Sequence, residues 1–472
     1  MHLDAKTLDR AAGAVLGAAA GDALGVPYEG RMPVGPDGPE MRGGGLGRLA
    51  PGQWSDDTEM ACVIAQVAAN GSDLRTADAL NEIAAGFRTW YDDNPPDIGI
   101  QTRDVLSRTA PGPDIAARMR TASAALHDRT GRTAGNGSLM RTSPVALAHL
   151  GDTHAIAGAA RAVSELTHFD PVAGDACVLW CLAIDHAVRT GTLNIGVGLP
   201  HVDPMWGPLL DESDHKQPDY YAHNNGWVVA ALLGAWSAIR STTGFEAGVT
   251  AAVEGGGDTD TIAAIAGGLL GARYGGSTIP ARWRRVLHGW PGLRARDLSR
   301  LAVLAARKGQ SDSEGWPTCS TMSSYVSAET TTVPHPDDPG VLLGAVGALK
   351  PGVADAVVSL CRLGANQAPV TADPADHVEF WIVDQEDANN DLAFAIRDSA
   401  AAVKQLRDEG KTVFLHCVHA HTRTPIVAAA YGALITGHTT ARALERILAI
   451  LPSAYPRPSI RATLEGMELP RP

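Results

Sequence analysis

Two short runs, Ser55-Asp56-Asp57-Thr58 and Asp258-Thr259-Asp260-Thr261, interleave carboxylates with hydroxyls. Each leads directly into an apolar segment, Met60–Ala69 after the first and Ile262–Ala272 after the second. Either run alone is a good helix start. Asp56 and Glu59 have capping-box spacing, and acids favour the positive end of a helix dipole. Two such starts, both denser in acid than a cap requires, point to a second role. If both face one cleft, the carboxylates repel one another unless cations neutralise them. All-oxygen ligation of this kind suits Mg²⁺ or Mn²⁺. The chemistry expected is metal-assisted hydrolysis.

Further polar motifs lie in the same part of the chain. Gly21-Asp22-Ala23-Leu24-Gly25-Val26-Pro27-Tyr28-Glu29 reads as a helix end, a glycine-punctuated turn and an acid. Pro96-Asp97-Ile98-Gly99 puts another acid in a tight loop. Gly135-Asn136-Gly137-Ser138-Leu139-Met140-Arg141 offers a glycine-flanked amide and hydroxyl, suited to close backbone approach to a sugar or phosphate. Thr167-His168 follows a helix end. Each has an ordinary structural reading as a turn, a dipole partner or a satisfied core group.

Together, and in this order, these motifs resemble the ADP-ribosylglycohydrolase family over about residues 8–300. The resemblance implies an all-α fold holding two divalent cations, Mg²⁺ or Mn²⁺. The implied metal ligands are Ser55, Asp56, Asp57, Asp258, Asp260 and Thr261. Family members commonly carry Thr where Ser55 stands, which keeps the hydroxyl. Gly135, Asn136, Gly137, Ser138, Met140 and His168 match the family's ADP-ribose contacts. Glu29 and Asp97 match two further acids, with Asp97 expected as the base and Glu29 as a gating or ligand-orienting group. Two cations can bind the cis hydroxyls of a ribose, and nearby carboxylates stabilise an oxocarbenium-like state at its anomeric carbon. The expected reaction releases ADP-ribose from a modified protein or a small conjugate. A non-catalytic ADP-ribose-binding module and a scaffold are the alternatives.

A separate constellation, His416-Cys417-Val418-His419-Ala420-His421-Thr422-Arg423-Thr424, lies between a buried strand and a helix beginning near Pro425. Such a turn aims backbone N–H groups and a helix N-terminus at one spot, which suits a phosphate oxyanion. It resembles the cysteine-dependent protein tyrosine phosphatase superfamily, closest to its small dual-specificity members, over about residues 315–455. The resemblance implies Cys417 as nucleophile and Arg423 as a bidentate phosphate clamp. Thr424 can hydrogen-bond the cysteine sulfur, and the resemblance also implies an aspartic general acid, which Asp384 matches, with Asp387 the alternative. Ala420 stands where the family usually has Gly, so a left-handed backbone there would be strained. A degenerate domain that binds phosphate or a partner is the alternative. A phosphorylated protein becomes a second candidate partner.

At 472 residues, 45% hydrophobic and 19% charged, the chain has material for two or three globular domains. A net charge of −13 offers no basic surplus for nucleic acid. Six scattered cysteines form neither a disulfide framework nor a zinc pattern, so reduced thiols in a cytoplasm are expected. Asp4 and Asp9 precede the apolar stretch Ala11–Ala20, and Gly21-Asp22 interrupts it, which argues against a secretion signal. No apolar run looks long enough to cross a bilayer, for which about 18 residues are needed.

Helical spacing recurs at Leu8–Ala20, Met60–Ala69, Ala77–Tyr91, Val145–Leu150, His154–Leu166, Ala176–Val188, Val228–Ile239 and Ile262–Tyr274. Later, Ala356–Cys361, Val378–Val383 and Thr412–Leu415 read as strands, and Leu392–Arg407 and Pro425–Ile435 as helices. The expected architecture is multidomain. Residues 1–305 form an all-α ADP-ribosylglycohydrolase-like bundle, and 306–339 a linker or irregular entrance. Residues 340–472 form a small α/β phosphatase-like domain with a mostly parallel sheet.

Overall fold

A computed structural model describes residues 3–30, 33–311, 318–322, 329–369 and 371–469. The chain divides into two compact units. The first contains Thr7–Ile279 and Val286–Gln310; the second contains Asp4–Lys6, Pro280–Arg285 and Ser311–Pro472. Nothing in the sequence hints that Pro280–Arg285 belongs with the later residues. Within the expected linker 306–339, residues 312–317 and 323–328 lie outside the described residues.

The first unit is built of helices but is not the purely α bundle expected: His288–Gly289 and Leu293–Arg294 form a short antiparallel pair around the Pro291-Gly292 turn. The unit's centre is the antiparallel packing of Ala5–Gly25 against Thr259–Tyr274. Gly13, Gly17, Gly21 and Gly25 follow at four-residue spacing, one above the other on a single helix face. A Cβ added at each would collide in turn with the backbone of Gly271, Gly267, Ala263 and Thr259. On the facing helix, Gly267 and Gly271 meet Gly17 and Gly13 in the same way. Two backbones can come this close only because no side chain separates them. The first helix therefore continues through Gly21 to Gly25, where the sequence suggested it ends. Asp22 is an interior helical residue, not part of a turn. Gly21 and Gly25 serve close approach.

Around this pair, Trp54, Trp90, Trp180 and Trp206 are fully buried. The helix Pro171–Thr190, at 20 residues, is long and apolar enough to cross a membrane, which corrects the expectation that no run reaches that length. It is 83% buried within the protein, as a core helix is. Ile100–Arg108, Ile115–Thr130, Trp206–Ser213, Phe245–Glu254 and Ala295–Ala306 are among the helices that have no counterpart in the sequence reading. The polar sequences of the first two bury only a few side chains each, among them Val105, Leu106, Met119 and Leu126, too few for a clear period.

The second unit holds a five-stranded sheet in the order Thr332–His335, Asp338–Ala345, Val413–Cys417, Ala356–Ser359, His377–Glu379. The first two strands pair antiparallel and the other neighbours parallel, so the sheet is mixed. The first strand and the turn of the antiparallel hairpin fall where the sequence suggested a linker, because Pro334, Pro336 and Pro339 read as turn residues. Pro334 is tolerated because its strand is at the sheet edge. The expected strand Val378–Val383 shrinks to His377–Glu379. Helices Leu392–Asp408 and Arg423–Thr436 share a core with the sheet, including Val341, Val358, Leu415, Ile396, Val403 and Val427.

The glycine contact makes a direct prediction. Gly17→Val should destabilise the protein by about 3 kcal/mol through overpacking, seen as a lowered urea midpoint. An unchanged midpoint would show that the two helices do not meet at that distance.

Candidate active site

The two acidic runs do start helices, at Asp56–Ala69 and Thr259–Tyr274. Neither Ser55 nor Asp258 caps its own helix with its side chain. The cap of the first comes instead from Asp22, which is fully buried. Its Oδ1 accepts from the Ser55 N–H at 2.9 Å and the Ser55 hydroxyl at 2.8 Å. Its Oδ2 accepts from the Thr58 N–H at 3.0 Å and the Thr58 hydroxyl at 2.6 Å. Glu59, the expected capping-box partner, accepts from Trp90 Nε1 at 2.6 Å. The helix start is therefore relieved of capping duty, which leaves Asp56 and Asp57 available to the cleft.

The runs meet directly. Asp57 Oδ2 accepts from the Ser55 hydroxyl at 3.2 Å and from the Thr261 hydroxyl at 3.4 Å. Asp57 and Thr261 line a cleft of about 430 Å³ together with Glu29, Asp56, Asp97, Asp258 and Asp260. Burial is the largest cause that raises the pKa of Asp56, Asp57 and Asp260 well above the ordinary carboxylate range, with neighbouring acids adding to it. Glu29 is pushed up to about 7 by burial, then by Asp258 and Asp97, against a hydrogen bond from the Leu46 N–H. Asp97 is raised by burial and by Asp258, opposed by the Ile98 N–H and Arg103.

This crowd of hard oxygens fits a divalent cation. Asp57 Oδ1 is buried with no hydrogen-bond partner. Glu29, Asp97 and Asp260 each offer an oxygen, all within 4.8 Å of one another. The geometry thus groups Glu29 and Asp97, read from sequence as free acids, with Asp260, read as a ligand.

Of the expected substrate contacts, Gly135, Asn136, Gly137, Met140 and His168 line the cleft. Asn136 also braces the acids. Its Nδ2 donates to Asp258 Oδ2 at 2.7 Å and to the Asn225 carbonyl at 2.9 Å. Ser138 is buried outside the lining residues, and its hydroxyl accepts from Ser164 at 2.9 Å. Two supporting residues escaped the sequence reading. From the sequence Asp22 reads only as part of a turn, although a helix-interior acid among small residues is a usable signal. Asn225, whose Oδ1 accepts from the Asp258 N–H at 3.0 Å, sits at the end of a loop with no pattern to find it by.

In the second unit a cavity of about 540 Å³ is lined by Cys417, Arg423 and Asp384, with His419, His421, Tyr455 and Arg457 among its other walls. Cys417 ends its strand, and the helix beginning at Arg423 follows after a five-residue loop. Ala420 has φ 57°, the left-handed conformation that its Cβ disfavours. Arg423 Nη1 donates to the carbonyls of Leu360 at 3.2 Å and Ile382 at 2.9 Å. The Thr424 hydroxyl faces the Gly344 carbonyl at 3.5 Å, not the cysteine sulfur. Asp384 accepts from Arg457 Nε at 3.0 Å, and Asp387 is not among the lining residues. Behind the loop, burial pushes His416 down to about 3, and its Nε2 lies 2.8 Å from the Ser359 hydroxyl.

The sequence profile described as ADP-ribosylglycohydrolase matches residues 3–313. The ADP-ribosyl-[dinitrogen reductase] glycohydrolase of Rhodospirillum rubrum is 32% identical, covering 58% of this chain and 89% of its own length. The ADP-ribosylarginine hydrolase Tri1 of Pseudomonas putida is 31% identical over 59% of this chain and 74% of its own. A solved structure described as an ADP-ribosylglycohydrolase-related protein complex is similar at 31% identity and a TM-score of 0.51, covering 65% of this chain and 99% of that one. Human DUSP28 overlaps 29% of this chain at 19% identity and a TM-score of 0.24, too slight to bear on the second unit's chemistry. The carboxylate cleft thus belongs to a hydrolase. The chain is a member of the ADP-ribosylglycohydrolase family.

Because Asp22 holds the Ser55–Thr58 segment from behind, Asp22→Asn leaves donors facing an amide. It should cost about 2–3 kcal/mol of stability and weaken Mn²⁺ binding roughly 10–100-fold, measured by thermal shift across a Mn²⁺ titration. Wild-type Mn²⁺ affinity in the folded variant would rule out that supporting role.

Proposed function

We propose that the first unit is a divalent-cation-dependent hydrolase that releases ADP-ribose from modified arginine in proteins. The observation that carries this reading is the joining of the two acidic runs through Asp57 and Thr261 in one cleft. Arginine is favoured because two relatives bear names for ADP-ribosyl-arginine or ADP-ribosyl-protein hydrolysis. A cleft crowded with carboxylates also complements a guanidinium.

Asp56, Asp57, Asp258, Asp260 and Thr261 would hold two cations, Mg²⁺ or Mn²⁺, and Glu29 and Asp97 gather with Asp260 in the same cluster. Ser55, the sixth expected ligand, is outside the lining residues and donates its hydroxyl to Asp22. Bound there, the cations would supply ribose hydroxyl binding and water activation. Asp97 takes the proton of the attacking water. Glu29, fixed by the Leu46 N–H, orients the ligand. The remaining carboxylates stabilise positive charge that develops at the anomeric carbon. Gly135 and Gly137 leave room beside His168 for the ADP-ribose chain.

Asp258→Ala should lower ADP-ribose release from an ADP-ribosylated arginine protein by at least about a hundredfold. EDTA should stop the wild type, and added Mn²⁺ or Mg²⁺ should restore it. Unchanged turnover in the variant would defeat the proposal.

For the second unit the strand–loop–helix around Cys417 favours phosphate-monoester chemistry. Cys417 attacks phosphorus and forms a phosphocysteine, which water then cleaves, while Asp384 serves the leaving oxygen. Arg423 and the helix N-terminus hold the phosphate oxygens. Wild type should turn over para-nitrophenyl phosphate and Cys417→Ser should not. Ala420→Gly should raise the rate and stabilise the unit by about 1 kcal/mol. Phosphate binding without turnover in both wild type and Ala420→Gly would make this unit a binding domain.

A further inference from the structure

Arg141 is fully buried, yet no carboxylate lies within ion-pair distance of it among the described residues. Its guanidinium rests on the Phe87 ring at 4.5 Å, and Nη1 meets Met60 Sδ at 3.2 Å. Its strong hydrogen bond goes from Nη2 to the Thr167 hydroxyl oxygen, at 2.6 Å. That same oxygen lies 2.8 Å from His168 Nδ1. The three residues therefore form a line that ends at an imidazole lining the cleft.

The direction of the protons along this line follows from elementary donor counting. An arginine can only donate, so Thr167 Oγ1 accepts from it. The hydroxyl keeps one proton, and Nδ1 of His168 stands ready to receive it. A neutral imidazole that accepts at Nδ1 carries its proton on Nε2. In the opposite tautomer, both neighbours would donate into one hydroxyl oxygen and the Thr167 proton would lose this acceptor.

The Nε2 end is the one that matters for a ligand. A Cβ on Gly135 or Gly137 would lie 3.3 or 3.2 Å from it, so any larger residue there would cover the donor. Burial and the nearby Arg141 charge both keep the ring neutral, well below its ordinary pKa. A charged ring would donate at both nitrogens, and the Thr167 proton would lose its acceptor at Nδ1.

We infer that Arg141 and Thr167 are positioning residues that lock His168 as the Nε2–H tautomer, aiming a single donor at a phosphate or ribose oxygen of the ligand. The identity of that ligand rests on the function proposed above; the tautomer does not. A charged donor into Thr167 also polarises its hydroxyl, which strengthens the next bond in the chain.

The test is ring-nitrogen NMR of the full-length chain labelled with ¹⁵N-histidine, with the His168 signals assigned by their loss in His168→Gln. Wild type should show a neutral Nε2–H ring between pH 5 and 8. Thr167→Val should admit the Nδ1–H form and raise KM about tenfold, the worth of one ligand hydrogen bond, with kcat changed far less. Thr167→Ser should restore both readouts. An Nδ1–H or protonated ring in the wild type would overturn the inference by itself, even if Thr167→Val failed to fold. So would wild-type tautomer and KM in a folded Thr167→Val. If the chain proved inactive on ADP-ribosyl-arginine while the tautomer stood, the function would fail and the relay would remain.

Discussion

The close approach of Ala5–Gly25 and Thr259–Tyr274 is the constraint on which the site depends. One helix brings Asp22 and the segment leading to Glu29; the other begins with Asp260 and Thr261. With side chains between the two backbones, the helix ends would move apart and take the halves of the carboxylate cluster with them. Of the four glycines at four-residue spacing, Gly13, Gly17 and Gly21 act on the site only through the helix they hold, while Gly25 packs against the backbone of Asp260 itself. Helix propensity argues against them, since each glycine costs about 1 kcal/mol relative to Ala. Close packing has to offset that loss.

The same cluster shows how buried charge is managed from the side. Asp56, Asp57 and Asp260 are all disfavoured as anions by burial, and helix starts alone do not compensate. The surrounding polar groups act on position: Asp22 gathers Ser55 and Thr58, while Asn136 and Asn225 hold Asp258. These contacts fix where the oxygens point without neutralising them. Such a cluster is pre-organised for a cation, because the repulsion is already built in when the cation arrives.

Much of this was readable in the sequence. Dense acid runs before apolar segments marked both helix starts, and glycine-flanked motifs marked most of the cleft wall. What escaped was of three kinds. Glycines that serve contact look like glycines that serve turns, so the first helix was cut short at Gly21. Long-range hydrogen bonds leave no local pattern, so Asp22 and Asn225 were not seen as supports. Pro334 on the edge strand, Pro336 in the turn and Pro339 at the start of the next strand mimic loop chemistry, so Thr332–His335 and its partner are hidden in the sequence. The question left by Ala420 has an answer in its φ of 57°: the loop does require the left-handed turn that glycine makes without strain.

The bond from Thr261 to Asp57 joins positions 204 residues apart. Closing so long a loop costs entropy before any contact offsets it, and non-local pairings of this kind are late events in folding. The cleft is therefore not a local motif that could be transplanted or formed early on a growing chain. It exists only once residues from both ends of the first unit have found each other. A cation captured there would bind the folded form and not the unfolded one, so it would draw the folding equilibrium toward the finished unit.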